Sequence, residues 1–301
     1  IFKMIEQAAI NRDTELDLSG EELTELPMEI FSLSHLEWLT LDDNQLTALP
    51  PEIAKLSQLK RLELSDNQLI TLPPEIAQLS QLEALSVEEN QLAMLTPDIA
   101  KLSQLKVLNL AGNQLIALPA EFSQLSKLKE LDLSDNRLIG IPPEVVQLPQ
   151  LRELDISNNQ LLDVLPEISQ LAKLKNLNLS HTRLTSLPPE LSQLFHLKTL
   201  ELSMNELTIV PPALFQLFKL RELYLNENEI GVLPAEISQL SELEWLDLRD
   251  NQLTSLPQSL SQLSNLEWLL LEGNPLPIPH SILEEADNPE EIIRHYMQTL
   301  N

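Results

Sequence analysis

The sequence contains no cysteine among its 301 residues. This absence excludes disulfide bonds, cysteine-based zinc sites and thiol catalysis from the chain. It also suits a reducing compartment, where disulfides do not persist. No signal peptide is recognisable in the sequence. We therefore expect a cytoplasmic location.

Basic residues are scarce. The chain has 19 Lys and Arg against 46 Asp and Glu, which gives a net charge of -27. Nucleic acids and anionic lipid surfaces need a basic binding surface, so neither is expected as a partner. No hydrophobic run approaches the length that crosses a membrane. The composition instead favours a basic partner, or serves solubility alone.

The sequence also lacks the motifs that carry chemistry. Its five glycines are scattered, so no glycine-rich loop can hold a phosphate group. Its five histidines do not have metal-ligand spacing, and no calcium-loop spacing is present. We therefore predict no catalytic residues, no cofactor and no metal site, and we expect the chain not to be an enzyme.

What the sequence does have is a repeat of 23 residues. The pattern LxxLxLxxNxLxxLPxxIxxLxx occurs twelve times, counting a degenerate first copy. In the first and eighth copies, Glu21 and Thr182 replace the asparagine. The repeat asparagines are Asn44, Asn67, Asn90, Asn113, Asn136, Asn159, Asn205, Asn228, Asn251 and Asn274. A fixed period in the twenties is typical of a solenoid, in which neighbouring copies stack on one another.

The physics of one copy predicts its local structure. Leucines that alternate with polar residues, as in Leu131-Asp132-Leu133, predict a short strand with one buried face. The asparagine that follows can bond to backbone groups of neighbouring repeats. The LPPEI segment predicts a short helical turn, since proline is tolerated at a helix start. Parallel strands stack about 4.8 Å apart and helices roughly 8–10 Å apart, so the stack is expected to curve into a horseshoe. The fold prediction is an α/β solenoid with a parallel sheet on its concave face and short helices on its convex face.

The array needs a cap at each end, because the terminal repeats would otherwise expose their core. We predict an N-terminal cap helix over residues 1–12, the repeat array over 13–274, and C-terminal cap or linker helices over 275–301. Phe2, Ile5 and Ala9 are expected on the buried face of the first helix. The apolar residues expected to cover the last repeat are Ile278, Ile282, Leu283, Ile292 and Ile293.

Repeat geometry predicts which side chains face the concave side. These are the residues six, four, two and one positions before each asparagine. Across twelve copies they include nineteen acidic residues and only two basic ones, Arg61 and Arg249. Acidity confined to one face either keeps a large sheet soluble or steers a basic partner. The acidic residues predicted at strand centres as partner contacts are Glu63, Asp132, Asp155, Glu201 and Asp247.

The aromatic residues make a sharper prediction. All three tryptophans, Trp38, Trp245 and Trp268, lie six residues before the repeat asparagine, so Trp245 and Trp268 should be neighbours across the sheet. We call equivalent positions of successive repeats a column. Tyr224 and Leu270 lie four residues before their repeat asparagines, in the column next to that of the tryptophans. Exposed aromatic clusters are common at binding hot spots, so these five residues are predicted to contact a partner. The alternative is that they pack together and help to seal the C-terminal end.

Two irregularities indicate where the array opens most easily. Thr182 replaces an asparagine and can satisfy fewer backbone groups, and Leu165 replaces the first proline of its repeat. Weak links in a one-dimensional stack become points of local unfolding. We therefore expect faster hydrogen exchange over residues 159–190 than in the flanking repeats.

The repeat pattern resembles the leucine-rich repeat family over nearly the whole chain. Its two ends, TELDLSGEELTELPMEI (Thr14–Ile30) and GNPLPIPHSILEEADNPEEIIRHYMQTL (Gly273–Leu300), resemble the repeat domain of bacterial Roco proteins. In that family the repeats precede a Roc GTPase module and a dimerising COR module. The resemblance implies a repeat domain that recruits ligands or regulates Roc and COR modules of the same polypeptide. Any GTPase activity would then lie outside this chain.

Two other functions fit the same sequence. One is a stand-alone bacterial repeat protein that binds a host or cell-surface protein. The other is the substrate-recognition module of an enzyme whose catalytic domain is not in this chain.

Overall fold

The computed structural model describes residues 1–299, so Leu300 and Asn301 of the predicted C-terminal segment lie outside the described residues. The contacts within the chain form two compact units. The first contains residues 1–138 and 142–154, and the second contains residues 139–141 and the chain from Asp155 onward. This division follows contacts alone, and the domain boundaries at residues 12 and 274 stay predictions.

The strands of the first unit pair in parallel, in the order of the chain. Each strand has three residues: β1 (Glu15–Asp17), β2 (Trp38–Thr40), β3 (Arg61–Glu63), β4 (Ala84–Ser86), β5 (Val107–Asn109) and β6 (Glu130–Asp132). Neighbouring strands pair at an offset of one repeat, as in Leu39 with Leu62. β7 (Glu153–Asp155) contributes residues to both units.

The second unit repeats this arrangement. Its strands are β8 (Asn176–Asn178), β9 (Thr199–Glu201), β10 (Glu222–Tyr224), β11 (Trp245–Asp247) and β12 (Trp268–Leu270). They also pair in parallel with their neighbours in chain order. The predicted α/β solenoid of stacked repeats with a parallel sheet is therefore confirmed.

The predicted helical segments are short 3-10 helices. In the first unit these are Met28–Ser32, Pro51–Lys55, Pro74–Gln78, Pro97–Lys101 and Ala120–Gln124. In the second unit they are Pro166–Gln170, Pro189–Gln193, Pro212–Gln216, Ala235–Gln239 and Gln258–Gln262. In the repeat between them, residues 143–147 form turns in this place. A 3-10 helix suits a five-residue segment because its tighter turn closes after three residues, as in the bond from Ile53 N–H to Pro50 O.

The core is made of the leucines that the pattern predicts. Within each strand the middle residue is buried, while the residues on either side are mostly exposed or half-buried, as in β3. Leu62 and Leu64 are fully buried, together with Ile53, Leu56 and Leu59 from the helical side of the repeat. The side chains beside these leucines therefore form an accessible sheet face.

The repeat asparagines join neighbouring repeats, as predicted. Asn67 Oδ1 accepts the N–H of Leu46, 3.0 Å away in the preceding repeat. Its Nδ2 donates to Leu41 O in that repeat (3.0 Å) and to Leu64 O in its own (3.2 Å). A buried amide thus satisfies backbone groups that stacking removes from water.

Thr182 fills the asparagine slot of its repeat only in part. It is fully buried, and its hydroxyl donates to Leu179 O at 2.7 Å. In nine other repeats, an asparagine oxygen accepts an N–H from the preceding repeat, as Asn205 accepts from Leu184 at 2.9 Å. Within residues 1–299, the corresponding N–H of Leu161 has no hydrogen-bond partner. The prediction that Thr182 satisfies fewer backbone groups is confirmed.

The first helix, α1, spans Phe2–Asn11. Its buried residues are Ile5 and Ala8. The expectation that Phe2 and Ala9 share the buried face with Ile5 was wrong, because Phe2 is 64% exposed and Ala9 is exposed. Ala8 and Ala9 lie on opposite flanks of Ile5, three and four residues further along the helix, and the helix packs with the Ala8 flank inward.

The C-terminal segment covers the end of the last repeat. It contains α2 (His280–Leu283) and α3 (Pro289–Thr299). The residues Ile278, Leu283, Ile292 and Ile293 are buried as expected, whereas Ile282 is half-buried. The N–H of Leu269 in β12 donates to Ala286 O at 2.8 Å, so this segment also covers part of the outer edge of the last strand.

Candidate partner-binding surface

The predicted aromatic cluster exists on the sheet face of the second unit. Trp245 and Trp268 pair across β11 and β12, and their rings stack with centroids 5.0 Å apart and an interplanar angle of 28°. Tyr224 on β10 lies beside Trp245 at 6.1 Å and 37°. We call these three residues the aromatic stack. They come together because parallel strands at one-repeat offset bring neighbouring columns side by side.

The two ends of the aromatic stack differ in exposure. Trp245 lies between two rings and is half-buried, whereas Trp268 is 38% exposed although one face rests on Trp245. The indole N–H of Trp245 is buried and has no hydrogen-bond partner among the described residues. Leu270, in the column of Tyr224, is half-buried on β12. The exposed part of the cluster is therefore centred on Trp268.

Tyr224 is held as a neutral phenol. Its hydroxyl donates to Glu222 Oε2 at 3.4 Å. Burial raises the pKa of Tyr224 to about 12, and the negative charge of Glu222 acts in the same direction. The aromatic stack therefore adds no charge of its own at neutral pH.

Glu201 lies in the same column as Tyr224, one strand earlier. Burial raises the pKa of its carboxyl, although hydrogen bonds from Ser203 act in the opposite direction. The Ser203 backbone N–H donates to Glu201 Oε1 at 3.1 Å, and its hydroxyl donates to the same oxygen. This carboxylate therefore stabilises the end of its own strand as well as contributing negative charge.

Asp247 is not an exposed contact. It is 1% exposed, and Arg249 binds both of its oxygens, with Nη2 at 2.6 Å from Oδ2 and Nε at 3.0 Å from Oδ1. Asp247 also raises the pKa of the Arg249 guanidinium through this hydrogen bonding. A buried carboxylate paired in this way has a structural role. The prediction of Asp247 as a partner contact did not include its pairing with Arg249, which lies two residues further along the chain on the same face.

Two other predicted acids also bond to their own strands. Asp155 Oδ1 accepts the backbone N–H of Ser157 at 2.9 Å, and Asn178 donates to its Oδ2 at 2.7 Å. In the first unit, Asp132 Oδ1 accepts the N–H of Ser134 at 2.9 Å. Carboxylates in this column thus satisfy a backbone donor just after the strand, which is a local reason for acidic residues on this face.

Trp38 and Glu63 belong to the sheet face of the first unit. Arg61, paired with Trp38 across β2 and β3, places its guanidinium carbon 5.9 Å from the centroid of the Trp38 ring. Arg61 also forms an ion pair with Glu63. Arg61 was predicted on the concave face, but its pairing with Trp38 was not predicted.

A groove of about 790 Å³ follows these residues across the first unit. Its floor includes the small residues Ala84 and Ser86 on β4, and Glu88 lies on its wall. Burial raises the pKa of Asp42, another lining residue, and the Ser65 N–H that donates to it at 2.7 Å opposes this effect. A groove of this volume has room for a side chain of a partner.

The side chains on the two sheet faces are of kinds that bind a partner. Within residues 1–299, His, Asp and Glu side chains form no group of three or more that could hold a metal ion. No helix in the same residues has the length and apolar character needed to cross a membrane. What the site offers is an aromatic platform, paired charges and a row of carboxylates.

Comparison with known proteins agrees with the repeat architecture. The sequence profile described as Leucine rich repeat matches residues 14–69, 34–92, 80–138, 103–161, 126–184, 172–230 and 218–276. The chain belongs to the leucine-rich repeat family. No curated protein sequence matches it significantly.

Several solved leucine-rich repeat structures are similar to this chain. A leucine-rich repeat protein of Leptospira interrogans is 30% identical, with 96% of each chain covered and a TM-score of 0.52. A chain of the octameric complex of Latrophilin 3, Unc5D and the leucine-rich repeat protein FLRT2 is 28% identical, covering 90% of this chain and 84% of that chain, with a TM-score of 0.76. An internalin of Listeria monocytogenes is 24% identical over 90% of this chain and 84% of that one, with a TM-score of 0.70, and at that identity the likeness concerns the fold alone.

Proposed function

We propose that this leucine-rich repeat chain is a non-catalytic protein-binding module whose main contact surface is the aromatic stack. The observation that carries the proposal is the exposure of Trp268 at the end of a stacked row of rings on an open sheet face. A large aromatic surface left in contact with water is common where a partner binds, because burying it on association is favourable.

The chemistry of the partner follows from charge. A net charge of -27, with acidic residues concentrated on the sheet face, attracts a basic protein and repels nucleic acid and anionic lipid. The similar leucine-rich repeat protein FLRT2 is part of a complex with two other proteins. That comparison supports a protein as the kind of partner, and the charge of this chain supports a basic one.

We further propose a Roco-type setting, in which the repeats act on Roc and COR modules of the same polypeptide or recruit ligands to them in the cytoplasm. The C-terminal segment supports this proposal. The side chain of Asn288 accepts the N–H of Glu291 at 3.4 Å at the start of α3, and Pro289 is the first helical residue. A capped helix at this place resembles the exit of the Roco repeat domain. A GxxxxGK[ST] motif encoded within about 50 residues after Asn301 would support the Roco setting, and a stop codon there would count against it.

A stand-alone repeat protein that binds a host or cell-surface protein is the second candidate. It is supported by the similarity of this chain to a leucine-rich repeat protein of the bacterium Leptospira interrogans. The two candidates differ in their setting and share the proposed binding surface.

A matched pair of variants tests the binding surface. The double variant Trp245→Ala/Trp268→Ala removes the exposed rings, and Phe195→Ala/Phe218→Ala removes two exposed aromatic residues of the same unit that lie outside the aromatic stack. A library of random peptides displayed on phage is selected on the wild type and then rebound to each variant. We expect the selected peptides to lose binding to the tryptophan variant and to keep binding to the phenylalanine variant.

The thermal unfolding of both variants completes the test. If the tryptophan variant unfolds at a much lower temperature than the phenylalanine variant, the stack serves to seal the end of the array and the binding proposal fails. Equal loss of peptide binding in both variants would also contradict it.

A further inference from the structure

The sheet face contains one tryptophan that is already paired with an arginine. Trp38 and Arg61 are in register on the neighbouring strands β2 and β3, and the Arg61 guanidinium carbon lies 5.9 Å from the ring centroid. This distance is within the range of a cation–π interaction. An arginine on the strand that follows a tryptophan can therefore place its guanidinium over the tryptophan ring.

Trp268 occupies the same column on β12, the last strand of the second unit. Its inner neighbour in register is Trp245, which covers one face of the ring. On the outer side, no strand of the described chain follows β12, but the C-terminal segment runs along this edge, where Ala286 O accepts the Leu269 N–H at 2.8 Å. Alanine has no cationic group to place against the ring, so Trp268, which is 38% exposed, has no counterpart of Arg61 beside it within the described chain.

The chain around Trp268 has no spare cation to fill this place. From Trp245 to Thr299 there are two arginines and no lysine, against nine Asp and Glu residues. Arg249 is bound to Asp247, and Arg294 is bound to Glu291. The surroundings are acidic, and both local guanidinium groups already have carboxylate partners.

We propose that the exposed part of the Trp268 ring receives an arginine side chain from a basic segment of the partner, in a contact like that between Arg61 and Trp38. The proposal rests on the proposed protein-binding function and specifies the chemical group that the aromatic stack recognises. Arginine fits better than lysine because its planar, weakly hydrated guanidinium stacks on an aromatic face. The acidic surroundings favour either cation over a neutral side chain.

The three tryptophans allow a direct test by NMR, since each indole N–H gives its own signal. The signals are assigned with single Trp→Phe variants of the whole chain. The probe is an acetylated and amidated Gly-Arg-Gly peptide, compared with the same peptide containing lysine or the uncharged isostere citrulline. We expect the arginine peptide to shift the Trp268 and Trp245 signals, the lysine peptide to act about threefold more weakly, and the citrulline peptide to have no effect.

Trp38 is the internal control, because Arg61 already occupies its neighbouring position. Trp38 is 45% exposed, but the guanidinium of Arg61 repels a second cation, so its signal should respond more weakly than that of Trp268 in the wild type. In Arg61→Ala, which removes this guanidinium, the Trp38 signal should respond more strongly to the arginine peptide. Circular dichroism checks that Arg61→Ala stays folded, and unchanged Trp268 shifts in this variant confirm that the stack is intact.

Three results would overturn the inference: equal shifts with arginine and citrulline, equal movement of all three indole signals in the wild type, or no shift at millimolar arginine peptide. The phage selection separates this outcome from failure of the proposed function. Selected peptides that depend on Trp268 but contain no arginine would support the protein-binding function and contradict arginine recognition. Selection of no peptide that depends on the aromatic stack would remove the proposed function itself.

Discussion

At the scale of single residues, the side chain at the repeat asparagine position determines how many hydrogen bonds join one repeat to the next. Thr182 leaves the N–H of Leu161 without a partner in the described chain, whereas Asn205 accepts the corresponding N–H of Leu184. We expect Thr182→Asn to raise the free energy of unfolding by about 1 kcal/mol, because the new amide can accept from Leu161 and still donate to Leu179 O. Urea unfolding followed by circular dichroism measures the change.

The reverse substitution is the control for Thr182→Asn. Asn90 accepts from Leu69 N–H and donates to Leu64 O, so Asn90→Thr should lower the free energy of unfolding by about 1–3 kcal/mol. A lower urea midpoint for Thr182→Asn than for the wild type would show that the slot at 182 is shaped for threonine, and the explanation from hydrogen bonding would be wrong.

Tyr224 gives a residue-scale prediction in pH. Its pKa is raised to about 12, first by burial and then by the charge of Glu222, so folding favours the neutral phenol. The unfolded phenol titrates at about 10, so this contribution to stability is complete below that pH and is lost as the pH rises through about 12. At a pH of about 11, we expect Tyr224 to stay largely protonated.

Absorbance titration of the phenolate checks this prediction. The chain has two tyrosines, so the difference between the wild type and Tyr224→Phe isolates Tyr224. A difference curve centred near about 10 would show that the phenol is not protected by its surroundings.

At the scale of secondary-structure elements, α3 closes the last repeat through a hydrogen bond as well as apolar contacts. Tyr296 is buried on α3, and its hydroxyl accepts the N–H of Leu256 at 3.0 Å. Tyr296→Phe should therefore lower the free energy of unfolding by about 1–2 kcal/mol, because a buried donor loses its partner. Thermal unfolding measures the loss.

Tyr224→Phe is the matched control for Tyr296→Phe, since its hydroxyl makes only a long bond of 3.4 Å to a side chain on the sheet face. It should leave stability at neutral pH nearly unchanged. Equal melting temperatures for the wild type and Tyr296→Phe would mean that α3 is held by its apolar residues alone.

The cover that α3 provides is incomplete. In the last repeat Leu266 is half-buried, whereas the corresponding leucines of the two preceding repeats, Leu220 and Leu243, are fully buried. A cavity of about 380 Å³ lies between Leu260 and Leu263 on one side and Ile293 and Met297 on the other. The C-terminal segment therefore acts as a lid over most of the last repeat, and part of the core stays open beneath it.

The sequence predicts well those features that recur with the repeat, and predicts less well those that do not. Strands, buried leucines and the Trp245–Trp268 stack all follow from a strict 23-residue repeat, because register repeats with it. The burial of Asp247 does not follow, since it depends on the direction that the flexible Arg249 side chain takes. The buried face of α1 was predicted only in part for a related reason. A single helix outside the repeat has no register to copy, and Ala8 and Ala9 are equally apolar.

At the scale of the whole molecule, stability along the array is not expected to be uniform. A stack of repeats in which each contacts mainly its neighbours opens where the coupling is weakest. Within residues 159–190, the N–H of Leu161 lacks a partner in the described chain, and Leu165 takes the place of the first proline at the start of a 3-10 helix. Both features weaken the link between one repeat and the next.

We therefore predict faster amide hydrogen exchange over residues 159–190 than in the flanking repeats, with the two chain ends set aside. Exchange followed by mass spectrometry of peptic peptides measures this along the chain. Thr182→Asn should slow exchange in this segment and leave peptides of the first four repeats unchanged, because it restores one local link. If protection is uniform across the array, or if the variant slows exchange everywhere equally, the chain opens as a single cooperative unit and the local weakness at Thr182 has no effect on its dynamics.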